Sequence, residues 1–182
     1  MARLPYVDPA TAPEQVRELL DRLPVKLNVF RMMAHATTDF RPLVGLGSAI
    51  LGRQKLSPKL RELAILRVAA LSPARYEWVQ HVPIAEATGA TAAQIAALER
   101  GDITGDAFDA VERAVLRFAT EVVRDVRASE ATFAEVARHL SAQEIVELVI
   151  TVGYYMLIAR LLETTAVDLD PPAGTKVVDS LR

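Results

Sequence analysis

Glu62, Glu77 and His81 are the residues of this chain whose types and spacing can move protons. Glu77 and His81 stand four apart on a segment that reads as helix, so their side chains share one face. A carboxylate one turn from an imidazole can orient the ring and stabilise its protonated form, which is what a general acid–base histidine needs. Glu62 precedes His81 by nineteen residues (81 − 62 = 19) and has apolar neighbours that should desolvate it. A buried carboxylate has a raised pKa unless it finds a partner. A turn at Ser72-Pro73 can fold the two helices side by side and carry Glu62 towards His81. Plainer roles stand beside these. Glu77–His81 can be an ordinary exposed pair, and Glu62 can cap a helix or pair with Arg67 or another arginine.

The candidate substrate-binding residues are Arg67, Arg61, Tyr76 and Trp78. Arg67 is the only charge in the apolar run Leu63–Leu71, where it either pairs with Glu62 or holds a substrate carboxylate. Arg61 is a second candidate for that task. Tyr76 and Trp78 flank the Glu77–His81 pair and either touch substrate or pack at a core edge. Tyr154 and Tyr155 lie in an apolar C-terminal helix, and one of them can place a hydroxyl in a pocket. His35 and His139 have no local constellation. Glu77 and His81 supply only two ligands on one helix, so no metal site is expected. The chain has no cysteine, which removes disulfides, thiol catalysis, iron–sulfur clusters and cysteine zinc sites.

The elements that must position these residues read as helices. Aromatic residues make up only 5% and there are 8 glycines, while Ala and Leu abound, a balance that favours helix over sheet. The punctuation predicts helices near 13–22, 28–36, 39–53, 58–71, 74–88, 92–100, 106–127, 130–139 and 142–163. Capping boxes are expected at Thr11–Glu14, Thr91–Gln94 and Ser141–Glu144, and stops at Gly89 and Gly101. Residues 1–165 read as a single domain. Residues 166–182 read as a tail, either extended along a neighbouring subunit or disordered.

A formal net charge of −2 implies no basic face, so nucleic acid is not an expected partner. The N-terminus has no apolar run, and the uncharged stretch Leu148–Ala159 is too short to span a bilayer. No membrane association is expected, and a soluble cytoplasmic protein is. Two runs, Leu63–Leu71 and Leu148–Ala159, are apolar almost all round and must be covered on every side. A homo-oligomer is the simplest cover, with a buried central hairpin in a monomer as the alternative.

The stretch Leu56–Gly89, LSPKLRELAILRVAALSPARYEWVQHVPIAEATG, resembles the core signature of the carboxymuconolactone decarboxylase / AhpD-like superfamily. The resemblance extends over about residues 28–165 through the later LSAQEIVELV and YYMLIARLLE. It implies the all-α AhpD-like fold and a trimer or hexamer. In the peroxidase-like branch the signature is Glu, eleven residues, Cys, two residues, Cys, three residues, His. Glu62 and His81 match the proton relay of that pattern, but Ala74 and Glu77 occupy its cysteine positions, so thiol peroxidase chemistry is excluded. The other branch decarboxylates a carboxylated lactone without a cofactor, and resembles this chain in having Glu four residues before His, though it typically lacks the Glu at position 62. The resemblance therefore implies a cofactor-free lyase. Its substrate is a small carboxylated lactone or ring acid, His81 moves the proton, and Glu77 or Glu62 orients it. A non-catalytic scaffold or small-ligand binder, or another proton-transfer enzyme such as an isomerase or hydrolase, uses the same residues.

Overall fold

A computed structural model describes residues 1–176. Among them the secondary structure is helical throughout, as the composition predicts: α1 (Glu14–Arg22), α2 (Asn28–Met33), α3 (Thr37–Arg53), α4 (Pro58–Leu71), α5 (Arg75–Ala87), α6 (Ala92–Glu99), α7 (Ala110–Asp125), α8 (Glu130–Ala137) and α9 (Ala142–Thr165).

The apolar helix α4 lies at the centre and packs against α5, α7, α9 and α6. Every residue from Arg61 to Ala69 is buried, the outcome required of a helix with no solvated face. Three of those residues are charged, so each must find a partner inside the protein. Pro58 starts α4 at a position where its missing N–H costs nothing. At the other end the Ala74 amide donates to Ala69 O at 2.9 Å, and α5 then begins at Arg75, two residues after Pro73. This short reversal lays α5 back along α4.

The capping boxes at Thr91–Gln94 and Ser141–Glu144 form as expected. The one expected at Thr11–Glu14 does not. Pro13 takes the N-cap of α1 and offers no side-chain acceptor, while the Thr11 hydroxyl donates to Asp8 O. Helix α7 starts at 110 rather than 106, because Asp109 forms a capping box with Glu112 that the sequence reading passes over. Glu112 also accepts from Gln94 Nε2 at 2.7 Å and pairs with Lys59 at 2.6 Å, tying α4, α6 and α7 together. Gly89 and Gly101 end α5 and α6 with φ of +102° and +78°, a region that a residue with a Cβ rarely adopts.

Helix α9 is long and apolar enough to cross a bilayer by length and composition, although the uncharged stretch within it is shorter. Here one face of it is core, through Leu148, Val152, Tyr155, Ala159 and Leu162. Its other face leaves Val146, Val149, Ile150, Gly153 and Leu157 exposed in the single chain.

The expectation for the C-terminal residues is corrected over 166–176. This segment lies along its own chain, because its polar groups meet donors and acceptors that the helices leave open. Asp168 accepts from Tyr6 Oη at 3.0 Å. Asp170 accepts from the Asn28 amide at the start of α2 at 2.6 Å, and from the Tyr76 hydroxyl. Gln80 donates to Asp170 O and accepts from the Ala173 amide. Val167 and Ala173 pack on the apolar cluster formed by α1, α2 and the end of α9. Residues 177–182 of the expected tail lie outside the described residues.

Asp170 is thus the joint between α2, α5 and the C-terminal segment. Asp170→Ala strips a charged acceptor from Tyr76 and Asn28 and is expected to cost about 2 kcal/mol. Urea denaturation checks this. An unchanged midpoint would show that the segment contributes nothing to folding.

Candidate active site

Glu62 is fully buried on α4 and accepts two hydrogen bonds. His81 Nδ1 lies 2.8 Å from its Oε2, and Arg61 Nε donates to its Oε1 at 3.0 Å. The reversal after α4 brings Glu62 and His81 together, as their spacing suggests. A carboxylate that accepts from an arginine on one oxygen takes a proton from the ring on the other. That assigns the hydrogen to Nδ1 and leaves Nε2 as the free nitrogen. Tyr155 of α9 packs edge-on against the imidazole, with ring centroids 4.8 Å apart and planes at 88°, and fixes its tilt.

His81 lines a cavity of about 120 Å³ enclosed by α2, α3, α5, α9 and the α1–α2 connection, with Gly174 of the C-terminal segment at its edge. The walls are mostly aliphatic, among them Leu27, Val29, Met33, Val44, Leu51 and Ile158. The polar lining comes from Ser48, Tyr76, Glu77, Gln80, His81, Tyr154 and Tyr155, and among the described residues no lysine or arginine belongs to it.

Glu77 shares this cavity but has a different environment from Glu62. It is 2% exposed, and neither carboxyl oxygen has a hydrogen-bond partner among the described residues. Burial pushes its carboxyl well above the usual range, and the charge of Glu62 adds to the shift. Glu77 therefore does not orient His81; Glu62 does. The Tyr154 hydroxyl donates to Leu43 O at 3.1 Å, and burial, with Glu77 as a smaller cause, pushes it up to about 12. A Cβ on Gly47 would stand 2.6 Å from that hydroxyl, so the glycine is what admits the Tyr154 ring to the cavity wall. Burial likewise pushes the Tyr155 phenol well above its ordinary value.

The expected substrate-binding residues separate. Tyr76 lines the cavity, although its hydroxyl is taken by Asp170. Arg61 stands behind Glu62, with Nη1 donating to Ile50 O at 3.4 Å, and does not reach the lining. Arg67 is buried elsewhere. It donates to Thr120 Oγ1 at 2.9 Å and to Gly101 O at 3.4 Å, so it pairs with neither Glu62 nor the cavity. Trp78 packs in the cluster between α4, α5 and α6 and borders a separate surface cleft with Ala74 and Arg75. The sequence reading misses Gln80, Ser48 and Gly47. Gln80 precedes His81 on α5, but nothing in the sequence signals that the C-terminal segment would engage it. Among the described residues no group of three or more potential metal ligands occurs.

Residues 40–121 match the model of the carboxymuconolactone decarboxylase family. No curated protein matches the chain. Solved structures share its fold. One is an uncharacterized peroxidase-related protein from Ralstonia eutropha JMP134, described as an alkylhydroperoxidase AhpD core. It is 21% identical with a TM-score of 0.79, over 100% of this chain and 97% of that one. A peroxidase-related protein from Silicibacter sp. TM1040 is 18% identical with a TM-score of 0.77, over 100% and 96% of the two chains. A structure of the debrominase Bmp8 in complex with 2,3,4-tribromopyrrole is 18% identical with a TM-score of 0.76, over the whole of both chains.

The raised pKa of Glu77 has a consequence for stability. Its folded pKa exceeds the ordinary carboxyl value of 4.5, so the folded state holds a proton that the unfolded state releases above that pH. Its contribution is fully present below the unfolded pKa and is lost as pH rises through the folded one. Thermal melts of the wild type and Glu77→Gln should therefore diverge above that ordinary value, with the variant gaining in relative Tm as pH rises. Parallel curves would mean that Glu77 ionises freely in the folded state.

Proposed function

We propose that this chain, a cysteine-less member of the carboxymuconolactone decarboxylase / AhpD-like superfamily, is a cofactor-free enzyme that moves a proton at a carbon atom of a small ring compound. The observation that carries the reading is the Glu62–His81 hydrogen bond of 2.8 Å behind an apolar cavity that also holds the unpartnered Glu77. Such a site has both halves of an acid–base device. Glu62 holds the imidazole in one tautomer and stabilises it once protonated, so His81 Nε2 serves as the base. Glu77 retains its proton and can supply hydrogen bonding where negative charge develops. The lack of cysteine leaves this machinery to shuttle protons without thiol redox chemistry.

Convergence of these groups on one enclosed space supports catalysis over an inert scaffold. The family match supports a lyase version of the chemistry, loss of CO₂ from a carboxylated lactone with His81 protonating the resulting carbanion. Against that version, Arg61 and Arg67 stay outside the cavity, so a substrate carboxylate would lack a cation there. Enolisation or isomerisation uses the same acid and base without needing one. Assembly with further copies of the chain through the exposed face of α9 belongs to the same proposal and is supported by the apolar residues on that face.

A panel of small cyclic ketones, lactones and lactone acids incubated in D₂O, read by mass spectrometry and CO₂ release, tests the reaction. Deuterium uptake at unchanged heavy-atom composition identifies enolisation, and loss of CO₂ identifies the lyase. Either rate should fall roughly 10²- to 10⁴-fold in His81→Ala, the usual worth of a general acid–base group, and less steeply in Glu62→Gln. Equal rates in wild type and His81→Ala would remove His81 from the chemistry.

A further inference from the structure

We propose that the Glu77 carboxyl group donates a hydrogen bond to a carbonyl oxygen of the substrate, so that the cavity takes an uncharged, enolisable cyclic carbonyl compound about the size of one ring. This rests on the proton-transfer reading above and names the substrate class for it.

Buried polar side chains in native proteins are almost always hydrogen-bonded, so one with both oxygens unpartnered calls for an explanation. Glu77 is such a group, and it lies on the wall of a cavity. Its neighbours do not consume its hydrogen. The Arg61 guanidinium is engaged by Glu62 and Ile50, and the Tyr154 hydroxyl gives its own proton to Leu43. A neutral carboxyl on the cavity lining keeps a donor that no other group takes up, and a carbonyl oxygen entering the cavity would complete it. Tyr155, whose hydroxyl also has no hydrogen-bond partner among the described residues, is a second neutral donor on the same wall. A protonated carboxylic acid beside a tyrosine in an apolar pocket is an established way to hold an enolate oxygen.

The same wall disfavours anions. With no lysine or arginine on the lining among the described residues, a substrate carboxylate would lose its hydration there without gaining a counter-charge from them. Size fits the reading as well. An engineered apolar cavity of about 150 Å³ holds benzene, so a space of about 120 Å³ has room for one small ring, with the open side of the pocket leaving any larger substituent outside.

The proton balance closes within the site. His81 Nε2 removes a proton from the carbon next to the carbonyl, and the C–H electron pair becomes a carbon–carbon double bond. The carbonyl π pair moves onto oxygen, where the Glu77 O–H holds it. Where the ring also carries a β,γ double bond, His81 then returns its proton to the γ-carbon, the double bond moves into conjugation and the carbonyl is restored, so an isomer leaves with no net gain or loss; without that bond the proton returns to the same carbon as exchange.

Isothermal titration of the full chain at neutral pH with cyclohex-2-enone and the anion cyclohex-1-enecarboxylate tests the class. The enone should bind at least about tenfold more tightly. Glu77→Gln, whose amide still donates, should keep enone affinity within about threefold, while Glu77→Ala should lose about tenfold. Tighter or equal binding of the carboxylate, or an enone affinity indifferent to Glu77→Ala, overturns the inference. Solvent deuterium exchange separates it from its premise. Carboxylate preference with His81-dependent exchange overturns the substrate class alone. Glu77-dependent enone binding with no exchange supports the class and overturns the proton-transfer reading.

Discussion

A carboxylate at the centre of the protein has to be neutralised, and the arrangement around Glu62 follows from that need. Glu62 sits on the most buried helix and has no access to water. An unpaired charge there would cost several kcal/mol, far more than a small protein can spare. Arg61 supplies the counter-charge from the adjacent position and His81 supplies a second donor from α5. Pairing fixes the register of α5 on α4, because a shift of one turn would strand the carboxylate. The same pairing sets the imidazole tautomer. Folding and the proposed chemistry therefore draw on one hydrogen bond.

Two glutamates of identical chemistry end up in opposite roles through their surroundings. Glu62 has two donors and acts as an acceptor. Glu77 has none, and burial together with the charge of Glu62 favours its neutral form. Raising the proton affinity of one carboxylate beside a histidine that another carboxylate holds is a general route to an acid and a base in one site. Glu77 stands where the peroxidase-like pattern has a cysteine, so in the proposed reaction a proton-bearing carboxyl takes the place of a thiol.

Much of this was legible in the sequence. Capping residues and the apolar character of α4 and α9 locate the helices, since those signals are local and physically strong. The spacing of Glu62 and His81 across the Ser72-Pro73 reversal anticipates their contact. The substrate-binding arginines were less legible. Arg67 satisfies its donors with Thr120 and Gly101, residues far along the chain whose proximity depends on α4, α6 and α7 meeting. The cavity walls come from five separated stretches, and no local pattern marks Leu27, Gly47 and Tyr154 as neighbours. The C-terminal segment reads as loose because its composition is polar and proline-containing. It is fixed instead by Asp168 and Asp170, whose partners lie at the opposite end of the chain.

That last feature bears on how the protein comes into being. As the chain leaves the ribosome, α2 and the α1–α2 connection emerge early, presenting half of an apolar compartment with nothing to face. Tyr154, Tyr155 and Gly174 emerge much later, and Asp170 closes the join only after helices α1 to α9 have all been made. During synthesis the nascent N-terminal third carries a sticky, unfinished surface, which makes it the part a chaperone would be expected to hold.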